Sequence, residues 1–319
     1  MNNSISLHIL LNPIAGHGQS IRMFSRLENL LEDHKIPYDT EVSPYPSAFI
    51  SIARKYGNEL HSSNEYLTVI GGDGSLNDVL NGIKTSSHPE TPIVYIPAGS
   101  GNDFARGAKI STNLQSLIQK LLNNPQPEQI DCGSYEGYKR NSELLQRSYF
   151  VNNFGIGFDA YVVHQSNRQR LKNALNKINF GSLIYKFNVI NVLKKQDTFS
   201  VTIKAKDEIW QYDNVYMATT TNHPYFGGGV AIMPQATVTD HQLWLAVVQK
   251  PSWSKFIKLF SKILRDGSQI NDPQFHIIKA DEIEISTSKP EFCQIDGEDS
   301  ADKLPFHVRF KVDHFNLIK

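Results

Sequence analysis

The chain has 319 residues, 40% hydrophobic and 20% charged, with 32 Lys and Arg balanced against 32 Asp and Glu. That length suits two domains, and the balanced charge excludes the general attraction that nucleic-acid binding draws on. Cys132 and Cys293 lie far apart and read as reduced core residues of a cytoplasmic protein; no apolar run approaches the roughly 18–20 residues of a bilayer span, and the first six residues lack signal-peptide regions, so any membrane contact is expected to be peripheral.

Ile5 to Leu11 is apolar but for Ser6 and His8 and predicts a first strand. Asn12-Pro13-Ile14-Ala15-Gly16-His17-Gly18 follows as a turn. A helix from about Ser20 to His34 places Ile21, Phe24, Leu27, Leu30 and Leu31 on one face. Tyr38 to Ser43 predicts the next strand and Ala48 to Tyr56 the next helix. Leu67, Val69 and Ile70 suit a buried strand, which Gly71-Gly72-Asp73-Gly74-Ser75 breaks. Leu76, Val79, Leu80 and Ile83 then recur at helical spacing, with Asn77 and Asp78 on the other face. Thr91 to Ile96 predicts a fourth strand and Leu114 to Leu122 a further helix. Strand and helix alternate, which argues for a doubly wound α/β domain. Ligands in such sheets sit beyond the carboxyl ends of the strands. The turns at Asn12, Gly72 and Gly99 all follow strands, so they are expected to gather on one rim.

The Gly71–Ser75 turn carries the first chemical signal. Glycines let the backbone take positive φ and let a ligand approach closely. A helix start adds unpaired N–H groups and the positive end of the dipole. Together these favour a phosphate. Asp73 repels one unless Mg2+ or a transferable proton lies between, so the turn points to a nucleotide phosphate with a metal, or with a hydroxyl to be activated. A tight turn without a ligand is the plainer alternative.

Asn123-Asn124-Pro125-Gln126-Pro127-Glu128 looks like a connection, and near Asp131 the pattern changes. Ser148 to Phe154, Thr198 to Ala205, Asn214 to Thr221, Leu243 to Val248, Glu282 to Thr287 and Leu304 to Val312 predict strands of an antiparallel β domain, a sandwich. Two segments look helical and basic. Residues 160–196 hold seven Lys and Arg and no Asp or Glu, and 252–265 reads as an amphipathic helix. Each is a core-packing helix with a solvated basic face, a surface for anionic lipid, or both. The eleven histidines show no metal-ligand spacing. His17 and His223 are expected in loops, solvated or hydrogen-bonded.

Four motifs now stand in order: Asn12-Pro13-x-x-Gly16, Gly71-Gly72-Asp73-Gly74-Ser75-x-Asn77, Pro97-x-Gly99-Ser100-x-Asn102-Asp103-Phe104, and Asp296-Gly297-Glu298. In this order they resemble the diacylglycerol kinase-type catalytic domain of bacterial soluble lipid kinases, a family that also includes sphingosine and ceramide kinases. Asn152-Asn153-Phe154-Gly155-Ile156-Gly157-Phe158-Asp159-Ala160 resembles the family's entry into its second domain. The resemblance spans nearly the whole chain. It implies an α/β nucleotide domain over 1–131, joined again by a tail from about 305 to 319, and a β-sandwich with helical insertions over 132–304, with the active site between them. It further implies ATP and Mg2+ as cofactors and a lipid hydroxyl as phosphate acceptor, diacylglycerol giving phosphatidate being the leading case.

Residue by residue, the implied nucleotide site is Asn12, Pro13, Ile14, Ala15, Gly16, Ser43, Gly72, Asp73, Gly74, Ser75, Leu76, Asn77, Asp78 and Ser100. Asp73 would handle Mg2+ directly or through water. Asp103 would assist it or cap the following helix. Glu298 matches the proposed proton acceptor, and Asp296 is the alternative for that role or a metal partner. Asp-Gly is also a strong hairpin signal. A structural Mg2+ would be held by Asp240 and by the carbonyls of Thr237 and Gln242; relatives usually have Gly after that Asp, and this chain has His241. The expected partner is a lipid at the inner face of a membrane, with no nucleic acid; a homodimer is compatible with the sequence. A soluble-substrate kinase of the NAD kinase type is the alternative activity, and a non-catalytic binding protein the third class.

Overall fold

Leu7, Ile9, Leu10 and Leu11 of β1 (Ser6–Leu11) are all buried, as a strand covered on both faces requires. β1 pairs in parallel with β2 (Tyr38–Val42) and with β3 (Glu65–Gly71), and β3 with β4 (Ile93–Pro97). The structure is a computed structural model and describes residues 5–62, 64–138, 147–165, 197–250, 252–265, 267–299 and 307–319. Helices α1 (Gln19–Asp33) and α5 (Leu114–Leu122) cover one face of the sheet, where Met23, Leu27, Leu31, Ile118 and Leu121 meet Leu7, Ile9, Ile70 and Ile96. Helices α2 (Ala48–Gly57), α3 (Asp73–Lys84) and α4 (Asp103–Gly107) cover the other, with Phe49, Leu76, Val79, Leu80 and Phe104 against Leu10, Val69 and Tyr95. The sheet is thus doubly wound. Its strand order reverses between β1 and β3, and their carboxyl ends frame the crevice where such sheets take ligands.

β5 (Glu128–Tyr138) and the last strand, β17 (His307–Ile318), pair antiparallel along their length, from Glu128 opposite Leu317 to Tyr138 opposite His307. One end of β17 runs parallel to β4, and the other pairs with β14 (Glu282–Thr287). Both domains therefore share one ladder. The boundary expected at 131/132 falls inside β5, and the tail gives its first half to the sandwich. The cause lies in the apolar positions. Ile130, Cys132, Phe315 and Leu317 enter the first core, Val308 and Phe310 the second, and nothing interrupts the strands between them.

The expected strand Ser148–Phe154 is two strands, β6 (Ser148–Phe150) and β7 (Asn153–Gly157), broken at Val151 and Asn152. A helix, α6, follows over 158–165; the rest of the basic segment 160–196, from 166 on, lies outside the described residues. β8 (Phe199–Ala205), β9 (Glu208–Thr221), β12 (Leu243–Gln249), β13 (Phe275–Ala280), β14 and β15 (Cys293–Ile295) build the sandwich around Phe154, Val201, Ile203, Leu245, Ile285 and Phe310. β10 (Tyr225–Phe226), β11 (Val230–Ala231) and β16 (Glu298–Asp299) are short hairpin arms. α7 (Trp253–Arg265) covers the outer face. Its Leu259 is buried against the cluster of Met217, Trp244, Val248 and Phe275, while Lys255, Lys258 and Arg265 are exposed. The core-packing reading of this helix therefore holds.

Candidate active site

The three turns meet as expected. Asn12 sits at the end of β1, where its Nδ2 donates to Ser75 Oγ at 2.9 Å and its Oδ1 accepts from the Ile14 backbone at 3.3 Å. The Ser75 hydroxyl is thereby engaged and buried. Gly72 and Gly99 touch backbone to backbone; a Cβ on Gly99 would lie 2.5 Å from Gly72 Cα. Ser43, Pro13, Ala15 and Gly16 line the same rim, half-buried, while Ser100 and Ile14 are exposed. The Gly99→Ala variant must push the two turns apart. We expect it to weaken ATP about tenfold, the equivalent of overpacking at about 1–3 kcal/mol, read by calorimetry.

Leu76 is fully buried in the core, and its N–H is bonded to the Gly72 carbonyl. Its side chain belongs to the inner stripe of α3 and packs into the core rather than lining the rim. Asn77 also departs from the expected role. Its Nδ2 donates to the Tyr149 carbonyl at 2.9 Å and to Asp296 Oδ2 at 2.7 Å, so it joins the domains.

Asp73 opens α3 with Gly72 as the preceding cap residue. Its Oδ2 accepts the backbone N–H of Asp103 at 2.7 Å and its Oδ1 the Tyr95 hydroxyl at 3.3 Å. Burial pushes its carboxyl up; the donors from Asp103, Asn152 and Tyr95 pull it down, and the Asp103 charge adds to the rise. Asp73 is therefore what caps α4, and Asp103 is not the cap. Asp103 is buried, with Oδ1 at 2.5 Å from Arg106 Nη1 and Oδ2 accepting the Gly228 N–H at 2.7 Å. Gly227, Gly228 and Gly229 all have positive φ (59, 89 and 105) and bring a loop of the second domain onto the Gly99–Asp103 turn. Behind Asp73, His223 is fully buried rather than solvated. Its Nδ1 accepts from Tyr225 N and its Nε2 lies 2.6 Å from Asn152 Oδ1, so Nε2 carries the proton. Burial, with Arg106 nearby, pulls its pKa down to about 3 and keeps it neutral.

Asp296 and Gly297, with φ of 50 and 83, form the two-residue turn between β15 and β16, as the Asp-Gly signal predicts. The Asp296 carboxylate accepts four donors. Oδ1 takes the N–H groups of Asn152 and Asn153 at 2.8 and 2.9 Å; Oδ2 takes Val151 N at 2.8 Å and Asn77 Nδ2 at 2.7 Å. Burial, with the Asp73 charge adding to it, pushes the carboxyl up to about 7 against the pull of the three backbone donors. Four donors fill the roughly four lone-pair directions of the two oxygens, so neither oxygen is turned to a substrate hydroxyl. Asp296 is thus a positioning residue that ties α3 to the break between β6 and β7, which corrects its candidacy as a base.

Glu298, two residues on, faces Gly74 from across the cleft; a Cβ on Gly74 would come within 3.3 Å of Glu298 Oε1. The side chain is exposed at the cleft mouth, yet the walls desolvate it enough to raise its pKa. Asp78 shares this cleft, with Ser47, Asn81, Tyr135 and Tyr149 along its walls. Burial and then the Glu298 charge push Asp78 up to about 7. Asp78 therefore stands with Glu298 and with Gly74 of the glycine turn in one cleft.

At the expected structural metal site, His241 keeps the turn, with φ at 54, a region where His is among the enriched non-glycine residues. Asp240 Oδ1 is buried without a hydrogen-bond partner among the described residues, which suits a ligand. Its Oδ2, however, accepts Trp244 Nε1 at 3.0 Å and lies 3.1 Å from Lys279 Nζ. An ammonium already supplies the positive charge a Mg2+ held with Thr237 and Gln242 would bring, so this group fits the ion poorly.

Asn152, Tyr95, His223, Asn81 and the Gly227–Gly229 loop were not legible as site residues. Three consecutive glycines were the one available signal. The others act through contacts across more than twenty residues of chain.

The family model described as the diacylglycerol kinase catalytic domain matches residues 6–135, and the one described as the YegS C-terminal NAD kinase beta sandwich-like domain matches 153–319. YtlR of Bacillus subtilis, a lipid kinase candidate, is 27% identical over 301 residues, covering 94% of this chain and 91% of YtlR. A diacylglycerol kinase of Staphylococcus saprophyticus is 26% identical over 302 residues, 93% of this chain and 90% of its own. Among solved structures, a diacylglycerol kinase from Bacillus anthracis superposes with a TM-score of 0.71 at 19% identity, covering 98% and 96% of the two chains. Yeast NADH kinase superposes with a TM-score of 0.56 at 9% identity, covering 99% and 84%. The two structures speak for the fold alone; with both family models covering the catalytic and the sandwich halves, the chain belongs to the diacylglycerol kinase family of kinases that carry a YegS-type second domain.

Proposed function

We propose that this protein transfers the γ-phosphate of ATP to the hydroxyl of a membrane lipid, with diacylglycerol as acceptor and phosphatidate as product. The observation that carries the reading is Glu298 facing the start of α3 at Gly74, paired with Asp78 in the cleft between the domains. ATP phosphates would lie at that helix start, along the rim from Asn12 to Gly16 with Ser43, Gly72 and Ser100. The lipid oxygen attacks the γ-phosphorus as its proton passes to Glu298, and the bond from γ-phosphorus to the ADP oxygen breaks. Mg2+ bound to the phosphates would neutralise the charge that builds on them. Asp73, whose oxygens already accept protein donors, would hold the ion through water; Asp78 is the carboxylate closer to the acceptor.

The test offers radiolabelled ATP to the purified protein with mixed diacylglycerol micelles, or with NAD. Label in the organic phase supports the lipid kinase. Label in NADP would move the assignment to the NAD kinase class, whose fold the yeast enzyme shares.

No helix among the described residues is long and apolar enough to cross a membrane. We place the protein at an anionic membrane surface through the exposed Lys255 and Lys258 of α7. The double variant K255E/K258E is expected to leave the melting temperature unchanged and to weaken binding to phosphatidylglycerol vesicles by at least about tenfold, from roughly 1 kcal/mol per basic residue. Equal sedimentation with vesicles would remove α7 from the membrane contact.

A further inference from the structure

We propose that Asp131, His241 and His314 bind a divalent transition-metal ion of the Zn2+ class. The ion would pin the turn before β12 to the two strands that the domains share. His314 stands directly opposite Asp131 in the β5–β17 ladder, which puts both side chains on one face with Cβ atoms about 4.5–5.5 Å apart. The Asp131 side chain is fully buried. Both its oxygens turn to one residue: Oδ2 accepts the His241 backbone N–H at 2.7 Å, and Oδ1 lies 2.9 Å from His241 Nδ1. Nδ1 of His314 is buried and has no hydrogen-bond partner among the described residues. One ligand atom from each of the three lies within 4.8 Å of the others.

The donor set decides the class of ion. Two imidazoles and one carboxylate suit Zn2+ and its first-row neighbours, whereas Mg2+ and Ca2+ prefer oxygen alone. A tetrahedral Zn2+ with bonds of about 2.0–2.1 Å sets its ligand atoms roughly 3.4 Å apart. That spacing falls between the 2.9 Å of the Asp131–His241 contact and the 4.8 Å limit of the cluster. The His241 side chain is 64% exposed, so its ring has room to adjust, and solvent can supply a fourth ligand. Asp240, one residue away, takes no part because Lys279 already meets its charge. The His314 carbonyl accepts Lys84 Nζ at 3.0 Å, so the proposed ion would also brace the end of α3. The inference does not depend on which acceptor the kinase uses.

Chelator-treated full-length protein is titrated with Zn2+, Co2+ and Mg2+ by calorimetry and visible absorption, beside His314→Gln and His241→Gly. Glycine suits the positive φ at 241, so that variant keeps the turn. We expect one Zn2+ per chain, visible Co2+ bands, and no competition from Mg2+. Each substitution should weaken Zn2+ by more than about 100-fold, beyond what changes outside the ligand shell produce. Zn2+ should also shift the ring-proton resonances of His241 and His314 in the wild-type protein, which reads ligation even if a variant folds poorly. Equal affinity in all three proteins, absence of stoichiometric binding, or unmoved ring resonances would each overturn the proposal.

Discussion

Replacing Glu298 with Gln is expected to lower transfer to a lipid acceptor by about 100- to 10,000-fold while ATP still binds, the range that a positioned general base contributes. Gln keeps the size of the side chain and one acceptor oxygen but cannot take the proton of the acceptor hydroxyl. ATP binding should persist because the rim comes from the ends of β1, β3 and β4, while Glu298 arrives on a hairpin of the other domain. The pH profile separates this role from simple charge. Burial raises the Glu298 carboxyl, and burial together with the Glu298 charge pushes Asp78 up to about 7. Turnover should rise with pH as Glu298 loses its proton, above the ordinary carboxylate range. Burial rather than the Asp78 charge raises Glu298, so Asp78→Asn should leave this inflection in place. The stability sign follows. A carboxyl whose folded pKa is raised contributes stability that is fully present below its unfolded pKa, about 3.8–3.9, and lost as pH rises through about 7. Asp78→Asn should therefore melt higher than wild type at pH 8, and the gap should close toward pH 4. Single-turnover assays and ATP calorimetry check the first substitution; near-normal turnover in Glu298→Gln would remove it as the base.

The rim of the nucleotide crevice was readable because local pattern fixes it. Apolar strands, glycine turns and the inner stripe of α3 are properties of short windows, and Asn12, Gly72 and Gly99 follow their strands wherever the sheet places them. The same logic gave the Asp296-Gly297 hairpin. What could not be read were side chains that act across the domains. Asn77 looks like a polar residue on an exposed helix face, yet it is spent on Tyr149 and Asp296. Asp78 neighbours the glycine motif in sequence and faces Glu298 in space. Asp240 sits in the expected turn, but Lys279 of β13 decides its charge environment. Helical phase predicts which way a residue points and is silent on what comes to meet it. Likewise, composition changes near Asp131 while the β5–β17 ladder passes through that point unbroken, because backbone pairing does not need a change of chain to change domain.

Asp296→Ala is expected to lower stability by at least about 3 kcal/mol, since three backbone N–H groups and the Asn77 amide would lose their acceptor, at about 1–3 kcal/mol for each that stays buried and unpaired. For a chain of 319 residues that corresponds to a fall of at least about 4–5 °C in melting temperature. Asp296→Asn tests the geometry more finely. One oxygen can still accept two of the donors, but the amide NH2 then faces the other two, so the loss should lie between wild type and Asp296→Ala. Turnover should fall in both variants, because Glu298 lies two residues beyond and is aimed by the same turn. The two neighbouring carboxylates thus separate by readout. Glu298→Gln should lose turnover with its melting temperature intact, whereas Asp296→Ala should lose both, with ATP affinity falling in step as the start of α3 loosens from the second domain. A melting temperature for Asp296→Ala within about 2 °C of wild type would show that water replaces the carboxylate at the domain junction, and the coupling from Asp296 through Asn77 to the nucleotide rim would then have to be abandoned.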